Sequence, residues 1–161
     1  MGHDRVGDNR PPTNPILLGF YGHSNSGKTT LLEAVIPRLE DEGMKVATIK
    51  QTHHDVTADA EGKDTWRHRQ AGADPVSLSS DVETALFLGR KLSLDDTVKL
   101  ITSVNAIDVI LIEGWKKEAI PKVFLGGGEE LPGTLLHYHG DVEDVISLIH
   151  QMIDKKARLL N

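Results

Sequence analysis

Gly22 and Gly27 stand five positions apart, and Lys28 and Thr29 follow directly. In such a Gly-x4-Gly-Lys-Thr pattern the glycines let the backbone close tightly, and the amides between them point inward to form an anion-sized hollow. A lysine at this place reaches outer phosphates, and the threonine hydroxyl joins a magnesium shell. Gly22, His23, Ser24, Asn25, Ser26, Gly27, Lys28, Thr29 and Thr30 are therefore expected to hold the phosphates of a nucleoside triphosphate with magnesium. A helix starting here would add the positive end of its dipole.

Magnesium also needs a carboxylate, and Asp108-Val109-Ile110-Leu111-Ile112-Glu113-Gly114 offers two. If the run is a strand, the acids lie about 16 Å apart at about 3.3 Å per residue. In a parallel sheet, ligands bind at the carboxyl ends of the strands. That places Glu113 near the phosphates and Asp108 at the opposite edge, so Glu113 is the expected metal residue.

A third group follows Ile49: Lys50-Gln51-Thr52-His53-His54-Asp55 supplies a cation, two imidazoles and a carboxylate. Lys50 is expected at the phosphates, and His53 and His54 are the candidate bases. Adjacent histidines point in different directions on an extended chain, which weakens a two-histidine metal site. Asp59 and Asp64 are further acids in reach, and Asp64 before a helical stretch also suits an N-cap. Arg67 and Arg69 lie two apart and do not share a helix face, so one of them, taken as Arg67, is expected to meet an anion.

These residues need elements to position them. Residues 16–21 read as a short buried strand. Residues 30–41 put Leu31, Leu32, Val35, Ile36 and Leu39 on one helical face, with Pro37 expected to kink the helix and Gly43 to end it. Residues 44–50 read as a second strand, 52–62 as a polar loop and 63–71 as a short helix closed by Gly72. Strands are predicted from Pro75 through Leu78, at 84–88, at 107–112 and at 122–125, with helices over 95–104 and 142–155. Strands alternating with helices predict an α/β fold, a three-layer, doubly wound, mostly parallel sheet of the P-loop NTPase type. Residues 1–14 read as a flexible extension, and 15–161 as a single nucleotide-binding domain.

With 39% hydrophobic residues, the chain can fill a core without cross-links. It contains no cysteine, which removes disulfides, thiolate zinc sites and thiol nucleophiles. The net charge of −6 speaks against a general nucleic-acid binder. No apolar run is long enough to span a membrane and no signal segment is visible, so a cytoplasmic location is expected.

Taken together, the segments resemble the molybdopterin-guanine dinucleotide biosynthesis protein B family, MobB. The likeness rests on residues 22–32 and on Ile49-Lys50-Gln51-Thr52-His53-His54. It continues through Gly62-Lys63-Asp64-Thr65-Trp66-Arg67-His68-Arg69-Gln70-Ala71-Gly72-Ala73, Glu113-Gly114-Trp115-Lys116 and Pro121-Lys122. The resemblance implies a GTP-binding adaptor, usually a homodimer, that assists a separate molybdopterin guanylyltransferase in making molybdopterin guanine dinucleotide, with molybdopterin itself a further ligand. It also implies that Asp64 joins Thr29 and Glu113 around magnesium. The chain departs from the family in having Gln51 where a histidine is common, and it lacks any Asn-Lys-x-Asp sequence to read guanine. Hydrolysis is expected to be slow at most, since no water-positioning glutamine or arginine finger stands out. Two other readings remain open. One is a small-molecule kinase whose acceptor is held by Lys50, His53 and Arg67; the other is a metallochaperone GTPase using His53, His54 and Asp55.

Overall fold

Apolar runs bounded by glycine and polar turns set the order of elements in this computed structural model, which describes residues 14–52 and 54–160. They are β1 (Ile16–Gly22), α1 (Lys28–Asp41), β2 (Val46–Lys50), α2 (Asp64–Gln70), β3 (Val76–Ser79) and β4 (Thr84–Phe87). There follow α3 (Leu94–Val104), β5 (Val109–Glu113), β6 (Lys122–Leu125), β7 (Thr134–Tyr138) and α4 (Val142–Leu160). Apart from Asn14, the expected N-terminal extension lies outside the described residues, and so does His53. The chain divides into two compact units, one holding the described residues up to Gln51 and from Val98 onward, the other Thr52–Thr97.

In the first unit a five-stranded sheet runs β2-β5-β1-β6-β7. Every pairing in it is parallel. The predicted α/β class and parallel sheet are what the fold shows. Strands β1 and β5 are central and covered on both faces, which is why they read as unbroken apolar runs. One face carries Ile16, Leu18, Phe20, Val109, Leu111, Val123 and Leu125, packed with Leu31, Val35 and Leu39 of α1 and Val145 and Ile149 of α4. On the other face Ile110 and Ile112 are fully buried and Ile49 nearly so.

Helix α1 reaches the expected end at Asp41 with Pro37 inside it. The proline sits on the exposed side, so the carbonyl of Glu33 that loses its donor faces water rather than the core. Strand β7 was not anticipated. It is an edge strand whose residues alternate between half-buried and exposed, bracketed by Pro132, Gly133 and Gly140, so it looks like turn sequence. Helix α4 extends five residues beyond the predicted end, to Leu160.

In the second unit β3 and β4 form an antiparallel pair of their own, with Val76 opposite Phe87 and Leu78 opposite Ala85. Helix α2 is fixed here from its own unit. Asp59, 5% exposed, accepts hydrogen bonds from Thr65 Oγ1 at 2.7 Å and Arg69 Nη1 at 3.3 Å.

Candidate functional site

The phosphate loop is shaped first by what β1 runs into. Gly22 lies in register with Leu125 of β6. A Cβ at Gly22 would stand 2.1 Å from the Leu125 carbonyl oxygen and 2.7 Å from Ser26 Oγ, so only glycine fits. The loop then closes with the Ser26 amide donating to the His23 carbonyl at 3.3 Å, and Gly27 (φ 86°) precedes α1. Lys28 folds back over this loop. Its Nζ donates to the His23 carbonyl at 2.6 Å, to Ser26 Oγ at 3.1 Å and to the Gly22 carbonyl at 3.4 Å. Burial lowers the Lys28 pKa below its usual 10.5; Glu113 opposes the shift, while the positive charges of Lys116 and Lys50 add to it.

Residues 24–30, Lys50 and Glu113 line a polar hollow of about 420 Å³. Two larger and more apolar hollows lie elsewhere: about 760 Å³ beside Ile120, Pro132 and Leu135, and about 490 Å³ beside Ile16, Met44 and Asp108. A triphosphate is recognised by donors and cations, so lining chemistry, not volume, selects the first of these three.

Glu113 ends β5, flanked in register by Phe20 of β1 and Lys50 of β2. Its Oε2 accepts a hydrogen bond from Thr29 Oγ1 at 3.4 Å and pairs with Lys50 Nζ at 3.5 Å. Two neighbouring ligands of an octahedral magnesium, each about 2.1 Å from it, lie about 3 Å apart. The Thr29 hydroxyl and the Glu113 carboxylate are within a small adjustment of that separation, and magnesium there would supply charge neutralisation for outer phosphates. Asp108 sits at the other end of β5, where its Oδ2 accepts the Lys45 amide at 2.7 Å and its own amide donates to the Lys45 carbonyl.

Several residues with parts in this region carried no role in the sequence reading. Gln51 donates its backbone amide to the Glu113 carbonyl at 2.8 Å, and its Oε1 accepts the Trp115 amide at 2.8 Å. Those bonds hold Trp115 at φ 47°, a left-handed conformation that is uphill for a non-glycine residue. Lys116 is charge-coupled to Lys28. The glycine run at 126–128 touches the phosphate loop, because His23 Nε2 donates to the Gly127 carbonyl at 2.9 Å. Lys122, 3% exposed, donates to the carbonyls of Glu118 at 2.6 Å, Pro132 at 3.0 Å and Ile120 at 3.1 Å. The repeated lysines and glycines were visible as residue types, but the partners lie too far along the chain for spacing to reveal.

The remaining candidates belong to the second unit. Asp64 is the first residue of α2, one position inside the helix, and Lys63 occupies the N-cap without a side-chain bond, so the N-cap reading of Asp64 is corrected. Its exposed carboxylate pairs with Arg67 at 3.7 Å. Arg69 is bound to Asp59, which leaves Arg67 as the arginine with the more exposed head. The His54 amide donates to Thr52 Oγ1 at 3.2 Å. Among the described residues no group of three or more histidine, cysteine, aspartate or glutamate side chains has metal-holding geometry. Among them, too, no helix is long and apolar enough to cross a membrane.

Comparison with known proteins identifies the family. The Haemophilus influenzae molybdopterin-guanine dinucleotide biosynthesis adapter protein is 42% identical over 111 residues, which is 68% of this chain and 62% of that protein. The protein of the same name from Escherichia coli is 38% identical over 112 residues, 68% of this chain and 64% of the relative. The chain thus matches less than two thirds of the length of these relatives. The crystal structure of Bacillus subtilis MobB superposes with a TM-score of 0.64 at 26% identity, covering 83% of this chain and 96% of that one. The family profile described as Molybdopterin guanine dinucleotide synthesis protein B matches residues 17–150. A match over that much of the chain, on a P-loop NTPase-type fold with its phosphate loop intact, places this protein in the MobB family.

Proposed function

We propose that this protein is a GTP-binding adaptor of molybdenum cofactor biosynthesis. In this reading the phosphate loop holds GTP with magnesium, and the protein assists a molybdopterin guanylyltransferase in converting molybdopterin to molybdopterin guanine dinucleotide. The observation that carries the proposal is the convergence of Lys28, Thr29, Lys50 and Glu113 on one polar hollow, in a member of a family whose named relatives are adapter proteins of this synthesis. Lys28 and Lys50 would neutralise outer phosphates, the amides of residues 23–28 would donate hydrogen bonds to their oxygens, and Thr29 and Glu113 would hold magnesium. Asp64 and Arg67 stand in the other unit and carry no part of this argument.

The test is calorimetric titration of the purified protein with GTP, with magnesium and then with chelator, followed by guanylylation assays with the transferase. Magnesium-dependent GTP binding and faster guanylylation are expected. Absence of binding at millimolar GTP would overturn the nucleotide part of the reading, and binding without any effect on the transferase would overturn the adaptor part.

A further inference from the structure

The site has a direction. Thr29, Glu113 and Lys50 mark its outer-phosphate end, and the last two close β5 and β2. With the sheet running β2-β5-β1-β6-β7, a nucleotide whose outer phosphates lie toward β5 points its nucleoside toward β6 and β7. There the chain leaves a bare strip. A side chain at Gly128 would stand 3.3 Å from His23 Nε2 and 4.0 Å from the Phe124 ring. Phe124 in turn meets the His137 ring edge-on, with centroids 5.4 Å apart. Next to it His137 Nε2 holds Glu130 Oε2 at 2.9 Å. Both side chains are about half exposed, at 46% for His137 and 55% for Glu130, so the imidazole aims the carboxylate without covering it.

A carboxylate accepts hydrogen bonds only. Guanine presents N1–H and a 2-amino group side by side, which two carboxylate oxygens complement; adenine has a lone pair at N1 and no 2-amino group. We propose that Glu130, positioned by His137, reads guanine at the nucleoside end of the site, with residues 126–128 as its bare floor. This rests on the triphosphate reading above and adds the source of base preference to it. The chain has no Asn-Lys-x-Asp sequence to supply that carboxylate. Asp141, another acid at this end of the sheet, is occupied in capping α4, where its Oδ1 accepts the Glu143 amide at 2.9 Å.

The experiment titrates the full chain with magnesium and, separately, GTP, ITP (which lacks the 2-amino group), ATP and inorganic tripolyphosphate. The proteins compared are the unsubstituted chain, Glu130→Gln, His137→Phe and the neighbouring control Glu129→Gln, each checked for fold by circular dichroism. The unsubstituted chain should favour GTP over ATP by about tenfold or more, with ITP between them. Glu130→Gln should weaken GTP roughly ten- to a hundredfold, to the level of ATP, and leave tripolyphosphate unchanged. His137→Phe should give a smaller loss in the same direction, and Glu129→Gln none. A Glu130→Gln protein that still prefers GTP, a Glu129→Gln protein with an equal loss, or no base preference in the unsubstituted chain overturns the proposal. Failure of the unsubstituted chain to bind even tripolyphosphate would instead overturn the triphosphate reading, and this inference with it.

Discussion

Lys28 rests its ammonium on the carbonyls of Gly22 and His23 and on Ser26 Oγ, so it belongs to the loop surface and not to the core. Lys28→Ala should therefore leave the circular-dichroism spectrum unchanged while triphosphate affinity falls about a hundredfold or more, since each charged hydrogen bond contributes about 1.5–3 kcal/mol. Burial, reinforced by Lys116 and Lys50, lowers the Lys28 pKa, so its charge is lost at lower pH than for an ordinary lysine. The sign follows from that direction. Triphosphate affinity should fall as pH rises through the depressed range, and Lys28→Met should flatten that part of the titration. For folding the effect runs the other way: the partly desolvated charge opposes the folded state below the lowered pKa, and the opposition fades as pH rises toward 10.5. The acids at the two ends of β5 allow a second comparison by calorimetry. Glu113→Gln should weaken magnesium-dependent binding more than binding in chelator. Asp108→Asn should leave both nearly unchanged, because that carboxylate holds the Lys45 amide at the far edge. Equal effects would mean that strand direction does not decide which acid meets the metal.

Among the connections, the stretch between β5 and β7 depends on one buried cation. Lys122 ties the turn carrying Glu118 and Ile120 to the turn carrying Pro132. Lys122→Met keeps the apolar stem but leaves three carbonyls short of a donor, and should destabilise the protein by about 3 kcal/mol or more in urea unfolding. A change under about 1 kcal/mol would show that water replaces the ammonium without penalty. Elements of this kind also mark where sequence reading stops. The strand before the phosphate loop, helix α1 and β5 with its terminal Glu113 were legible, because each is a local pattern: an apolar run, a helical spacing, a glycine motif. The contacts of Lys122, Gln51 and His23 were not. Gln51 meets Trp115 and His23 meets Gly127 across 64 and 104 positions of chain, and no local periodicity carries such pairings. Asp59 shows the same limit at short range. It looks like another loop acid, yet it is buried and bound to Thr65 and Arg69.

For the molecule as a whole, the distinction that matters is between holding a nucleotide and turning it over. The isolated protein should hydrolyse GTP or transfer its γ-phosphate far more slowly than the 1–100 s⁻¹ typical of kinases, as measured by phosphate release with and without candidate acceptors. Turnover within that range would favour the kinase reading over the adaptor. The all-parallel sheet has a further consequence, which concerns the order in which the molecule is made. Strand β1 pairs only with β5 and β6, so its partners are translated long after it. At about 5–20 residues per second, roughly 4–17 s separate the synthesis of Gly22 from that of Val109. Through that interval the phosphate loop exists as sequence but has no sheet to hold its shape, and the apolar β1 is exposed to chaperones. Ribosome-bound chains stalled with emergence complete only through β4 should not be retained on a triphosphate resin, whereas chains with β5 and β6 emerged should be. The phosphate loop thus leaves the ribosome well before the two strands that flank β1 and give the loop its shape.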